Sequence, residues 1–274
     1  MYDAGTEKNN TPQKSHSLVV FAEKGANREK AERLADHLNV DMTQAESDME
    51  RFDLVLRLNA DGLALVGDGM VLRGDFTRML PRLKTSNLQQ ELLVRASKMK
   101  GAAGTPTAID ATAGLGEDAI LLAAAGFSVQ LYEYDPVIAV LLQDALCRAA
   151  EVPELTDIVG RMHLLEEDSV AALQKLSSPP DLILLDPMFP ARQKSALIKK
   201  KFQLLHHLER PCEDEIALVH AAMASGPRKV IIKRPLKGPY LAGLKPDYSL
   251  EGKAIRFDCL VLPRREKQEQ KKIK

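Results

Sequence analysis

The segment from Thr107 to Gly126 (Thr-Ala-Ile-Asp-Ala-Thr-Ala-Gly-Leu-Gly-Glu-Asp-Ala-Ile-Leu-Leu-Ala-Ala-Ala-Gly) admits few folds, because a short strand, a tight glycine turn and an Ala/Leu-rich helix follow one another without a linker. Gly114 and Gly116 remove the Cβ atoms that would keep the backbone from approaching a ligand. Phe127 to Asp135 is next, an alternating strand that ends in an acid, Glu133, and Pro136 opens a second helix at a position where its missing N–H costs little. Strand and helix keep alternating from there. The pattern predicts an α/β fold with a parallel, doubly wound, Rossmann-like sheet.

The chemistry at the glycine turn follows from its acids. A dinucleotide site offers bare amides to a pyrophosphate, in the pattern G-x-G-x-x-G/A. Here Glu117 and Asp118 occupy the first turn of the helix, where they suit the positive end of its dipole and repel a pyrophosphate. Ala119 satisfies the last position of the fingerprint, so the two acids carry the discrimination against a nucleotide-dependent oxidoreductase. An acid about twenty residues beyond such a turn can accept both hydroxyls of a ribose, the role open to Glu133. After the third core strand, Asp168 with Ser169 is the candidate for an adenine edge.

A second block, Asp181 to Pro190 (Asp-Leu-Ile-Leu-Leu-Asp-Pro-Met-Phe-Pro), drives an apolar strand into a carboxylate, two prolines and a ring. It reads either as a buried parallel strand with a Pro-rich turn or as a site for a planar amine. In the second reading Asp186 and the Pro187 carbonyl accept the N–H bonds and Phe189 stacks on a base taken out of its helix.

Together, the Asp-x-x-x-Gly-x-Gly turn, the acid-ended second strand and the Asp-Pro-x-Phe block resemble a class I methyltransferase that uses S-adenosylmethionine. More closely, Asp110 to Gly116, Leu185 to Pro190 with Gln193 to Leu197, and Lys233-Arg-Pro235 with Arg256-Phe-Asp258 resemble the RsmJ family of 16S ribosomal RNA guanine-N2 methyltransferases, over roughly Thr107 to Leu262. The resemblance implies S-adenosylmethionine as cofactor, and small-subunit ribosomal RNA, free or in the 30S particle, as partner. It implies cofactor contacts at Asp110, Gly114, Gly116, Glu117, Asp118, Glu133, Tyr134, Asp168, Ser169 and Asp186. The family carries arginine where this chain has Glu117 and Tyr134, which leaves backbone contacts at those positions. Asp186, Pro187 and Phe189 are the implied catalytic residues. Guanine comes from the resemblance alone; the block itself fits other planar amines, such as adenine N6 or a protein glutamine.

An RNA substrate needs positive charge, and Lys+Arg and Asp+Glu are both 38 here, so it must be local. Arg192, Lys194, Lys199, Lys200 and Lys201 follow the Asp-Pro-Met-Phe-Pro block with no acid before Glu209, and read as a phosphate clamp. The 264–274 tail, with six basic and two acidic residues, reads as solvated. Three separated cysteines and histidines without metal-ligand spacing argue for reduced thiols, a cytoplasmic location and no metal. Residues 1–17 read as a disordered leader without a signal-peptide core, and no run reaches membrane-spanning length.

Upstream of the core, 18–80 reads as a small α+β domain: a strand from Leu18, a helix from Arg28 to Leu38, and a β-hairpin around Asn59-Ala-Asp-Gly62. Residues 81–106 hold a linking helix, drawn from Met79 to Lys98, and a flexible joint. The core spans 107–263, its last strand inserting antiparallel at the sheet edge.

Overall fold

The computed structural model describes residues 17–99, 104–187 and 215–263. The first part contains β1 (Leu18–Ala22), α1 (Arg28–Leu38), β2 (Asp41–Thr43), α2 (Glu46–Met49), β3 (Leu54–Asn59), β4 (Gly62–Gly67) and β5 (Met70–Leu72). Three short helices follow, α3 (Leu80–Leu83), α4 (Thr85–Leu88) and α5 (Leu92–Ser97). The core then runs β6 (Thr107–Asp110), α6 (Ala119–Ala124), β7 (Ser128–Glu133), α7 (Pro136–Ala150), α8 (Pro153–Val159), β8 (Met162–Glu166), α9 (Ser169–Gln174) and β9 (Leu182–Leu185). It ends with α10 (Glu215–Ala224), β10 (Lys229–Pro235), β11 (Tyr248–Glu251) and β12 (Ile255–Val261).

The larger sheet has the order β11-β12-β10-β9-β6-β7-β8, with β6 to β10 parallel. Strand alternation distributes its side chains between two cores. Leu182 and Leu184 pack with Leu93, Ile120, Leu146 and Leu155, from α5, α6, α7 and α8. Ile183 and Leu185 turn to the other face and meet Leu173, Leu218 and Val219, from α9 and α10. All four residues of β9 are therefore buried, which is why its sequence shows no polar alternation.

Three expectations are corrected. The last strand is not the edge: β12 lies antiparallel between β10 and β11, and β11 forms the rim. The linking helix is broken. Lys84 and Glu91 adopt extended backbone, with ψ of 133° and 129°, and separate α3, α4 and α5. The Asn87 side chain donates to the Pro81 carbonyl across the first break, while Leu93 and Val94 are drawn into the core. Ser17, read as part of the leader, hydrogen-bonds through its amide and hydroxyl to Asp53.

The smaller sheet, β2-β1-β3-β4-β5, does not pack on its own helix alone. Leu56, Leu63 and Leu65 share a core with Ala31 and Ala35 of α1 and with Val137, Ile138 and Leu141 of α7. Helix α7 thus serves both sheets. It starts where Pro136 predicts, with the Asp135 carboxylate capping the amides of Val137 and Ile138.

Candidate active site

Five parallel strands deliver their carboxyl ends to one edge of the sheet, the place where open α/β sheets bind ligands. Asp110 ends β6, Glu133 ends β7, Asp168 follows β8, Asp186 follows β9, and Lys233 lies near the end of β10.

The glycine turn is held from both sides. The Gly114 amide donates to Glu133 Oε2 at 2.8 Å, and the Asp135 amide donates to Oε1 at 2.9 Å. Burial pushes the Glu133 carboxyl up to about 7, against the pull of these amides. Each oxygen keeps lone-pair capacity for a further donor, as a ribose diol requires. Asp110 is more deeply buried and goes up to about 8, first through burial and then through the nearby Asp118 carboxylate, with the Thr112 amide opposing.

Both turn glycines have positive φ, +53° at Gly114 and +75° at Gly116, but their surroundings differ. A Cβ on Gly114 would meet nothing within 4 Å, so the turn presents an open cradle. A Cβ on Gly116 would stand 2.9 Å from Leu142 Cδ1 and 3.1 Å from the Phe76 ring. Gly116→Ala is therefore expected to cost about 1–3 kcal/mol of overpacking on top of backbone strain. Gly114→Ala should cost only the left-handed strain of about 1–2 kcal/mol, its added methyl acting instead on cofactor affinity. Denaturant melts with cofactor titration check the pair, and equal stability losses would refute the division.

Asp186 is bound to the same loop, its amide donating to Thr112 Oγ1 at 2.7 Å. Its carboxylate lies 2.8 Å from Lys233 Nζ, which also reaches Asp118 Oδ2 at 2.5 Å. Burial raises the Asp186 pKa, Lys233 opposes the rise, and Asp118 adds to it. Burial works against the Lys233 ammonium as well, yet the two carboxylates hold it above the ordinary lysine value. Asp118 departs from its expected role here. It precedes the first residue of α6 but makes no side-chain cap: its backbone is itself helical (φ −84°, ψ −37°), the amides of Ile120 and Leu121 find the carbonyls of Gly116 and Asp118, and its carboxylate takes the ammonium from β10 instead.

Asp168 caps α9 by accepting from the Val170 amide, beside Ser169. Tyr134 is 61% exposed and Glu117 is exposed, so both side chains lie at the solvent-facing side of this edge. Glu166 is held by His37 of α1 at 2.9 Å, which ties the smaller sheet's helix to this edge. Pro187 is buried next to Asp186. Phe189, Arg192, Lys194, Lys199, Lys200 and Lys201 lie outside the described residues, as does the basic tail.

Two residues at this edge carried no assigned role in the sequence reading, Thr112 and Lys233. A signal existed for Lys233, since a lysine that ends the apolar run Val230–Ile232 of a strand needs a partner. The neighbouring motif residues act behind the site. Arg256 Nη1 donates to the carbonyls of Pro235, Leu236 and Gly238, Arg234 Nε donates to the Pro239 carbonyl, and the loop after β10 is pinned by these bonds.

Comparison with known proteins agrees with this geometry. A family model described as "Putative SAM-dependent methyltransferase" matches residues 33–262. The ribosomal RNA small subunit methyltransferase J of Nitrosococcus oceani is 38% identical over 83% of this chain and 92% of its own length. That of Thioalkalivibrio sulfidiphilus is 39% identical over 85% and 93%. A crystal structure of a SAM-dependent methyltransferase from Neisseria gonorrhoeae superposes with a TM-score of 0.66 at 27% identity, covering 89% of this chain and 95% of that one. With the cradle, the acid-ended second strand and the Asp-Pro turn at one sheet edge, this chain belongs to the SAM-dependent methyltransferase family that contains the ribosomal RNA small subunit methyltransferases J.

Proposed function

We propose that this chain transfers the methyl group of S-adenosylmethionine to the exocyclic N2 of a guanosine in small-subunit (16S) ribosomal RNA, acting in the cytoplasm on the free RNA or the 30S particle. One observation carries the chemistry. The Asp186 amide is hydrogen-bonded to Thr112 in the glycine-turn loop, so the amine acceptor and the cofactor cradle are parts of one rigid unit. The substrate class is supported by the names of the curated relatives.

The residues present fit the cofactor. The open space at Gly114 admits a ligand against the backbone, and Glu133, fixed by two amides, faces it with acceptor capacity for ribose hydroxyls. Asp168 and Ser169 stand at the next strand end for the adenine, with Asp110, Gly116, Glu117, Asp118 and Tyr134 around the turn. When bound, S-adenosylmethionine supplies an electrophilic methyl group on a sulfonium. Asp186 and the Pro187 carbonyl hold the target amine by its N–H bonds, Phe189 stacks on the base, and Arg192 to Lys201 hold phosphates. The amine's proton becomes acidic as its nitrogen is alkylated and passes to Asp186 or water, so no strong base is needed. Positioning of this kind can supply about 7–11 kcal/mol of the barrier.

The test is transfer of labelled methyl to unmodified 16S RNA, free and assembled, followed by nucleoside mass analysis. N2-methylguanosine is expected. Label on adenine N6 or on protein glutamine would replace the substrate, and absence of transfer would overturn the proposal.

A further inference from the structure

Three carboxylates from three elements converge at the proposed site: Asp110 at the end of β6, Asp118 before α6 and Asp186 after β9. Among the described residues, the charged groups acting on Asp186 are Asp110, Asp118, Lys233 and Arg234. Arg234 directs its Nε at the Pro239 carbonyl, whereas Lys233 Nζ sits directly between Asp118 and Asp186, at 2.5 Å and 2.8 Å. Like charges crowded at the mouth of a partly dry cleft cannot all stay ionised without such a counter-charge. Lys233 closes the apolar run Val230–Ile232 of β10, and its ammonium is spent on one acid beside the cofactor cradle and one acid assigned to the amine.

We infer that Lys233 is a positioning residue for methyl transfer, whose ammonium keeps Asp186 ionised and aimed at the target amine. The inference rests on the methyltransferase reading above. In the reaction the amine nitrogen forms its bond to the methyl carbon, the carbon–sulfur bond breaks with its electron pair going to sulfur, and the N–H proton leaves to Asp186 or water. An ionised Asp186 can accept the amine's N–H bond beforehand and its proton afterwards. A protonated Asp186 presents a donor instead.

The sign of the pH effect follows. Burial and Asp118 raise the Asp186 pKa and Lys233 lowers it. Without Lys233 it rises further, and activity that depends on the carboxylate survives only at higher pH. In the full-length protein, Lys233→Met should move the acid limb of the kcat profile upward by about one unit or more, lowering the rate by about 10-fold or more at pH values on the acid side of the wild-type limb, with recovery as pH rises past the shifted limb. Lys233→Arg retains the charge and should keep the limb near its wild-type position. Asp118→Asn removes a neighbouring negative charge and should move the limb downward. Should Lys233→Met fail to fold by thermal melting, Lys233→Gln supplies the same neutral test.

A lowered rate with an unmoved acid limb would make Lys233 merely structural and overturn this inference alone. A wild-type protein inactive on ribosomal RNA would overturn the functional reading and this inference with it.

Discussion

Asp186→Ala is expected to lower kcat for methyl transfer by about 10²–10⁴-fold, the range associated with removing a positioned proton acceptor. Cofactor affinity should change far less. The carboxylate of Asp186 is turned toward Lys233, while the features that fit the cofactor, the Gly114 turn and the Glu133 carboxylate, belong to β6 and β7. Asp118 still accepts from Lys233 in the variant, so the lysine is not stranded and the fold should hold. Steady-state kinetics on 16S RNA, with calorimetric titration of S-adenosylmethionine, separate the two quantities. Equal losses in both would reassign Asp186 to cofactor binding.

Much of this edge was legible in the sequence because its signals are local. The turn from Asp110 to Gly116, the acid closing β7 and the apolar run of β9 each depend on residues a few positions apart. What escaped depends on strand order. Lys233 meets Asp186 because β10 lies beside β9, and no spacing within either strand reports that adjacency. The same cause explains Asp118. Its position at a helix start predicts a local electrostatic role, but a cation from β10 arrives at 2.5 Å and takes the carboxylate. The break of the linking helix is tertiary too. Residues 88–97 are mostly good helix formers, but Leu92 must reach the turn between β11 and β12, where a Cβ on Gly252 would come within 2.7 Å of it. Packing there overrides propensity.

The largest expected effect on stability lies away from the chemistry, at Asp144 in the middle of α7. This buried carboxylate accepts from Lys30 Nζ and Arg148 Nε, each at 2.7 Å, and from the Leu63 amide at 2.9 Å. It therefore joins α1, the β3–β4 hairpin and the core helix at one point. The fit is tight, since a Cβ on Gly62 would fall 2.6 Å from Asp144 Oδ2. Asp144→Ala leaves the Leu63 amide without its acceptor and Arg148 with only its bond to the Gly74 carbonyl among the contacts described. Removing one partner of a buried ion pair costs about 3–5 kcal/mol. The Lys30 share is smaller because that side chain is about half exposed. At about 2–4 °C per kcal/mol for a chain of this size, the melting temperature should fall by roughly 10 °C. The pH dependence gives a second check. Burial alone would raise the Asp144 pKa, but the Leu63 amide, Lys30 and Arg148 outweigh it and hold the carboxyl below its ordinary value. A depressed folded-state pKa contributes stability above the unfolded value of 3.8, and this is lost as pH falls through the folded value. The gap between wild type and Asp144→Ala should thus be full at neutral pH and shrink under acid conditions. Denaturant melts at several pH values measure it, and a loss below about 1 kcal/mol at neutral pH would reduce the site to an ordinary surface ion pair.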